Sequence, residues 1–146
     1  MAACGRCLTR ARRVRLSCCH DEADQAERGF RKLAARGFRG YPIATVAFYG
    51  PDNTRASKVA VGVVMAENKE PVVMQRWFSD DTDVRHDPKI GAEIVEFLRP
   101  YKVKSVVATD RIIGCPHEEG KDYLIGESCP VCPFWEGRDR FTHEHV

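Results

Sequence analysis

The sequence has no long hydrophobic run. Its longest unbroken apolar stretch, residues 59–66, is less than half the length of a membrane span, so we expect no transmembrane helix and no membrane contact. The first 20 residues contain five arginines but no apolar segment, so we expect no secretory signal. Together these two absences predict a cytoplasmic protein.

The number of cysteines in the chain is odd. There are seven, which excludes complete internal disulfide pairing. When a chain without a secretory signal clusters its cysteines with histidines, metal ligation is favoured over disulfide bonds. We therefore expect the clustered cysteines to be metal ligands.

A strong net charge is absent as well. The 146 residues carry 23 lysines and arginines against 21 acidic residues, a net charge of +2, and 43% of them are hydrophobic. This balance predicts one compact domain with a short appendage and argues against general disorder. The charge is unevenly spread, because residues 1–40 carry +6, residues 41–113 are neutral and residues 114–146 carry −4.

The middle of the chain predicts an α/β (α+β) fold whose core has the order β-β-β-α-β. Three stretches rich in β-branched and aromatic residues are typical of strands: residues 41–49, 58–66 and 71–78. Short turns join them, so an antiparallel meander is the simplest arrangement. Asp87-Pro88 marks the start of a helix that ends at Pro100, and residues 103–109 predict a fourth strand after a crossover.

Two further segments flank the strands. An N-terminal helix is expected from Asp21, which can cap its start, to Gly37, which can close its end. Residues 1–20 form an irregular head rich in cysteine and arginine, residues 21–113 form the core domain, and residues 114–146 form a cysteine-bearing tail. These three segments are called the head, the core domain and the tail.

The tail contains the most informative pattern. Cys115 and His117 form a Cys-x-His pair, and after eleven residues Cys129 and Cys132 form a Cys-x2-Cys pair. Zinc prefers four tetrahedral nitrogen and sulfur ligands, which these residues supply. We therefore predict one zinc ion in a loop of the zinc-ribbon or knuckle type, with a structural role because no coordination position stays open. The alternative is a set of reduced, buried cysteines beside an unrelated histidine.

The head presents the same ligand types in the reverse order. A Cys-x2-Cys pair and a Cys-x-His pair are formed by Cys4, Cys7, Cys18 and His20. They predict a second metal site, and the alternative is a disordered head with incidental cysteines. Between the pairs lie four arginines that suit contact with the phosphates of nucleic acid, namely Arg10, Arg12, Arg13 and Arg15. The alternative for these arginines is a solvated surface.

Two hypotheses for function follow. In the first, the zinc is structural and the protein is an interaction module that contacts nucleic acid or another protein. In the second, a metal-dependent hydrolase has its site where the fourth strand ends, since ligands often collect at the carboxyl ends of strands in α/β folds. The residues expected to converge there are Asp110, Arg111, His117, Glu118 and Glu119.

The second hypothesis has two forms. His117-Glu118-Glu119 followed by Cys129-x2-Cys132 partly matches the zinc deaminases, although eleven residues are too few for the strand and helix that normally separate the two halves of that site. The β-β-β-α-β order of residues 41–113 also resembles the ribonuclease H-like fold, with Asp110 at the end of the fourth strand and Glu93 in the preceding helix. That resemblance implies two-metal nuclease chemistry, but the first strand has no acidic residue to supply its central carboxylate.

Residues 38–135 more closely resemble a group of small bacterial proteins of unassigned activity. The shared pattern is Tyr41-Pro42, Tyr49-Gly50-Pro51-Asp52, Val106-Val107-Ala108-Thr109-Asp110, Gly114-Cys115-Pro116-His117-Glu118-Glu119-Gly120 and Cys129-Pro130-x-Cys132-Pro133-Phe134-Trp135. The resemblance implies a bacterial, cytoplasmic setting and a bound zinc ion, and it implies no particular reaction.

Overall fold

The computed structural model describes Arg28 and residues 31–146. Its main elements are β1 (Ile43–Tyr49), β2 (Lys58–Val64), β3 (Val73–Phe78), α1 (Pro88–Leu98) and β4 (Ser105–Ile112). Short 3-10 turns follow at Arg99–Tyr101 and Pro133–Trp135. The strands form one mixed sheet in the order β3-β2-β1-β4, in which β1 is antiparallel to β2 and parallel to β4, and β3 is antiparallel to β2.

This arrangement confirms the predicted α+β class, the antiparallel meander and the crossover to a fourth strand. The largest difference is in β4, which continues to Ile112 although the sequence predicts an end at Thr109. Val46 of β1 lies opposite Ala108, whereas Phe48 lies opposite Ile112, so β4 contains an irregularity of the bulge type. The extra residues at the bulge let β4 run on to the beginning of the tail.

Helix α1 begins as its sequence predicts. The Asp87 side chain accepts hydrogen bonds from the backbone N–H groups of Lys89 and Ile90, and Pro88 occupies the first turn, where its missing N–H has no consequence. Ile90, Ile94 and Leu98 recur at helical spacing and are buried. They belong to one apolar core together with inward-facing residues of all four strands.

A tryptophan links α1 to the edge strand β3. Trp77 is buried in the core, its ring packs edge-on against Phe97, and its Nε1–H donates to Glu93 Oε2 at 3.0 Å. Burying an indole N–H without a partner is costly, so Glu93 satisfies a donor of the core. Glu93 is one of the two carboxylates on which the resemblance to the ribonuclease H-like fold depends. In the structure its side chain is the hydrogen-bond partner of the buried Trp77.

The opposite side of the sheet, which we call the open face, carries no helix in the described part of the chain. By the alternation of the strands it presents Thr45, Ala47 and Tyr49 of β1, Lys58, Ala60 and Gly62 of β2, and Met74, Arg76 and Phe78 of β3. The residues in the middle are small and those at the margins are large. The tail lies beside this face, so the open face forms the floor of a depression.

Only the end of the predicted N-terminal helix falls within the described residues. Residues 31–35 are helical, and Gly37 follows with a φ of +73°, as expected for a glycine that closes a helix. The head lies outside the described residues, and so do the candidate second metal ligands Cys4, Cys7, Cys18 and His20 and the basic residues Arg10, Arg12, Arg13 and Arg15. Among the helices that are described, none has the length and apolar character needed to cross a bilayer.

The loop between β3 and α1 is fixed by an aspartate and an arginine. Arg85 donates from Nε to Asp83 Oδ1 at 3.0 Å and from NH2 to Asp83 Oδ2 at 2.6 Å, and the loop is tied back by a bond from Val84 N–H to Ala56 O. Burial alone would raise the pKa of Asp83. The hydrogen bonds from Arg85 outweigh it and lower the pKa from 3.8 to about 2.

We expect Asp83→Asn to lower the free energy of unfolding by about 2 kcal/mol near neutral pH, since one pKa unit corresponds to about 1.4 kcal/mol. The folded-state pKa is below the unfolded value of 3.8, so this stabilisation is present above pH 3.8 and is lost as the pH falls toward 2. Urea unfolding across this range measures the difference. The exposed neighbour Asp81→Asn is the control, and an effect of Asp83→Asn that does not shrink with falling pH would contradict the assignment.

Candidate metal centre

The first two candidate ligands are positioned by the continuation of β4. Beyond its last residue, Ile113 N–H donates to Phe48 O, and Gly114 O accepts from Gly50 N–H, each at 2.9 Å. These bonds extend the pairing between β1 and β4 into the tail and hold Cys115 at the end of the sheet. Gly114 has a φ of +148°, a conformation that favours glycine, and there the chain turns away from the sheet.

The four candidate ligands converge around one ring nitrogen. His117 Nδ1 lies 3.1 Å from Cys115 Sγ and 3.5 Å from both Cys129 Sγ and Cys132 Sγ. All four ligand atoms lie within 4.8 Å of one another. In a tetrahedral zinc site with the usual bond lengths, a ring nitrogen and a sulfur are about 3.6 Å apart. The residues are therefore positioned to hold a metal ion, and their spacing fits a four-coordinate one.

Backbone amides support the sulfurs. His117 N–H donates to Cys115 Sγ at 3.2 Å, and the backbone N–H groups of Val131 and Cys132 hydrogen-bond to the sulfur of Cys129. Such bonds stabilise a thiolate and fix the direction of its lone pairs. The bends at both ligand pairs are therefore shaped to present negatively charged sulfur, which fits a zinc-ribbon-like arrangement of the tail.

The thiol pKa values are shifted in different directions by burial and neighbours. Burial raises the pKa of Cys115 and of Cys132. Burial also acts to raise the pKa of Cys129, but the amide hydrogen bond from Val131 and its other partners outweigh burial and lower it. A group of half-buried and buried thiols can lose all its protons only with a positive charge at the centre, and a metal ion supplies that charge.

Glu118, next to the candidate ligand His117, is held by a cluster of cations. Its Oε1 lies 3.0 Å from Lys58 Nζ and 2.7 Å from Arg76 Nε, and its Oε2 lies 3.6 Å from Lys121 Nζ. The hydrogen bond from Lys58 is the main cause of the lowered pKa of Glu118. The carboxylate therefore stays ionised near neutral pH and is engaged with cations of the open face.

Lys58 is the buried member of this cluster. It is 4% exposed although it lies at the start of β2, and its Nζ donates to Pro116 O as well as to Glu118. The rings of Tyr49 and Phe78 lie 5.2 and 5.7 Å from its Nζ. Lys58 thus joins the sheet to the segment that carries the first two candidate ligands.

The second ligand pair is joined to the sheet by Trp135. Its Nε1–H donates to Gly50 O at 2.8 Å across 85 residues of sequence, and its ring packs edge-on against Phe134 and His143. Gly50 admits no side chain, because a Cβ placed there would lie 2.1 Å from Arg55 O. The turn after β1 therefore contacts the tail twice, at Gly114 and at Trp135.

The comparisons with known proteins leave the chain without an assigned family. No family model, no curated protein and no solved structure matches it. Whatever is said of its function therefore depends on its own residues.

The structure brings together part of the catalytic set that the sequence predicts. His117 lies in the cysteine cluster with Glu118 and Glu119 beside it, while Asp110 and Arg111 lie within β4 and Arg111 is exposed. Glu119 accepts a hydrogen bond from Gly126 N–H and so shapes the loop between the ligand pairs.

The deaminase pattern meets two obstacles in this geometry. Cys115 Sγ lies with the other three candidate ligand atoms, all within 4.8 Å of one another, so it would supply a fourth protein ligand where a deaminase needs a water. Between His117 and Cys129 the described chain forms only turns and the isolated bridge of Glu119 with Tyr123, without the strand and helix of that site.

Sequence reasoning missed the cations between the open face and the tail, namely Lys58 and Arg76 of the open face and Arg138 and Arg140 of the tail. One feature of the sequence could have indicated them: Lys58 is a lysine in a strand, β2, whose other residues are all apolar. A charged residue in a buried strand indicates a specific partner, but that partner, Glu118, is 60 residues away.

Proposed function

We propose that Cys115, His117, Cys129 and Cys132 bind one zinc ion and that the ion has a structural role. The observation that carries this proposal is the position of His117 Nδ1, which faces all three sulfurs at 3.1 to 3.5 Å. Three thiolates and an imidazole are the donors of structural zinc sites, and thiolate-rich sets select zinc over magnesium or calcium. With four protein ligands, no position is left for a reacting water.

The structural role follows from what the ion would hold. The ligand pairs are separated by a loop with few apolar contacts, and its tip residues Leu124 and Ile125 are 69% and 82% exposed. Burial of so little apolar surface cannot offset the conformational entropy that the loop loses when it becomes ordered. The free energy of metal binding therefore stabilises the folded loop. The ion thereby keeps Trp135 at Gly50 and Glu118 at Lys58, and the tail stays on the open face.

Zinc analysis and X-ray absorption test this proposal. We expect one zinc ion per chain from the tail, with three sulfur neighbours at about 2.3 Å and one nitrogen at about 2.0 Å. Cys115→Ser serves as the reference for a site with one sulfur fewer. An oxygen neighbour that exchanges with solvent in the unmodified protein would contradict the closed site and favour the hydrolase hypothesis.

We further propose that the zinc-stabilised protein is an interaction module whose partner is nucleic acid, contacted through the head. What supports this is the charge pattern, since residues 1–40 carry +6 and the first 20 residues have no acidic residue. Contacts of this kind attach to phosphates, depend steeply on salt and read no sequence.

Binding of duplex DNA measured across salt concentrations tests the nucleic-acid contact. If Arg10, Arg12, Arg13 and Arg15 each contact a phosphate, the slope of log affinity against log salt is expected to be about −4, and replacing all four by glutamine should flatten it nearly to zero. Arg99→Gln, a change in the exposed 3-10 turn that follows α1, is the control for loss of a positive charge elsewhere. Equal binding after deletion of residues 1–20 would overturn this proposal while leaving the zinc site unaffected.

A further inference from the structure

A cavity of about 500 Å³ lies between the open face and the tail. Its floor is formed by the small residues of the central strands, among them Thr45, Ala47 and Ala60, and its walls include Trp135 and the chain around the metal ligands. Ala60 is only 8% exposed. Small residues at the centre of a sheet face leave room that larger ones would fill, and the resulting volume is in the range of small-molecule sites.

The cations around this cavity differ in how many of their N–H groups already have a hydrogen-bond or ion-pair partner. Lys58 and Arg76 are bound to Glu118. Arg138 donates from NH1 to His143 O and stacks over the Phe134 ring at 4.4 Å, but its Nε is buried without a hydrogen-bond partner in the described chain. Arg140 also lines the cavity, and no hydrogen bond or ion pair joins it to another described residue.

An unpaired, buried guanidinium nitrogen is unusual, because a buried donor without an acceptor loses its hydration and gains nothing in return. Two guanidinium groups on the wall of one cavity are suited to a carboxylate or a phosphate, both of which accept several N–H bonds at once. Three carboxylates line the same cavity, namely Glu118, Glu119 and Glu127. Glu118 is paired with Lys58 and Arg76, and the other two limit how much negative charge a ligand can bring. Trp135 and Tyr49 offer aromatic surface beside the cations.

We propose that this cavity binds a small organic molecule that carries one carboxylate or phosphate group, with Arg138 and Arg140 holding the anionic group and the apolar part lying on the floor of the open face. The proposal rests on the proposed metal site, because the ion keeps the tail wall in place. It adds a ligand site beside the candidate metal centre, since Cys115, His117 and Cys129 also line the cavity, and the head has no part in it.

Tryptophan fluorescence provides the test in the zinc-loaded full chain, because Trp135 lines the cavity whereas Trp77 lies in the core on the helix side. The probes are benzoate, phenyl phosphate and the neutral benzyl alcohol, which share one ring. We expect benzoate or phenyl phosphate to saturate the signal at least about tenfold more tightly than benzyl alcohol, and whichever of the two binds more tightly identifies the anionic group.

Two variants and a control locate the site. Arg140→Gln is expected to remove most of the preference for the anions, and Ala60→Leu is expected to weaken all three probes by filling the floor. Arg99→Gln, an equal change of charge in the 3-10 turn that follows α1, is expected to change nothing. If Ala60→Leu fails to fold, Arg140→Gln still decides, since it alters only an exposed side chain.

Metal content measured in the same samples separates the two proposals. A zinc-loaded chain that shows no saturable binding, or an equal loss in Arg99→Gln and Arg140→Gln, overturns the ligand site alone. Anion binding by a folded chain without metal overturns the metal proposal alone. The absence of both metal and binding overturns both.

Discussion

Replacing Cys129 by serine is expected to remove the metal ion from the protein and to unfold the tail while the sheet stays folded. The serine oxygen is a poor substitute for a thiolate, and in structural zinc sites the apparent binding free energy of about 10 kcal/mol or more is also the folding energy of the segment. The core cluster lies mainly in the strands and α1, so it does not need the ion. Zinc content and amide hydrogen exchange of residues 114–146 measure the two effects.

Ser128→Ala provides the matched control for this substitution. Ser128 precedes the ligand and is exposed, so its loss should change neither the zinc content nor the exchange rates. Chelation of the unmodified protein should reproduce the effect of Cys129→Ser. Full zinc retention in Cys129→Ser would show that the ligand set is wrong, and a tail that stays protected after chelation would show that the ion is not structural.

The second large effect is expected from Glu118→Gln, which leaves Lys58 and Arg76 without their carboxylate. The Lys58 side chain is only 5% exposed, and a buried charge that loses its partner destabilises a protein by about 3 kcal/mol. Arg76 and Lys121 are more exposed, so their ion pairs with Glu118 add little. Urea unfolding of the zinc-loaded protein measures the change, which should appear without loss of metal.

Two comparisons give this expectation its specificity. Glu119→Gln, the neighbouring change of the same kind, keeps an oxygen to accept the bond from Gly126 N–H and should alter stability by no more than about 0.5 kcal/mol. The double variant Lys58→Met with Glu118→Gln removes the orphaned charge and should recover most of the loss. Equal effects of Glu118→Gln and Glu119→Gln would refute the role assigned to the Lys58 pair.

The parts of the fold that were predictable from sequence are those specified by neighbouring residues. Asp87 and Pro88 specify the start of α1, because the Asp87 side chain caps the helix and Pro88 lacks the backbone N–H that the first turn leaves unpaired. The short turns between β1, β2 and β3 make the antiparallel meander the simplest strand pairing. The candidate metal ligands were also predictable from neighbouring residues. Their short spacings within each pair place two ligands on one bend of the chain, in the set Cys115, His117, Cys129 and Cys132.

What could not be predicted depends on partners that are distant in sequence. The extension of β4 to Ile112 depends on a bulge opposite Ala47, and nothing in the residues 109–111 marks it. The bond from Trp135 to Gly50 and the pair of Lys58 with Glu118 join segments that are 85 and 60 residues apart. The cavity on the open face exists only through such contacts, so its cations could not be recognised from their spacing.

The order of the elements along the chain has a consequence for biosynthesis. All four strands are complete by Ile112, whereas the ligands span residues 115–132 and none of them comes from the sheet. During translation the sheet can therefore assemble before the second ligand pair has been made, because domains generally fold as units while the chain emerges. If the proposed zinc ion is bound, its capture is then a late step of maturation, and we expect a cell short of zinc to accumulate chains with a finished sheet and an unclosed tail.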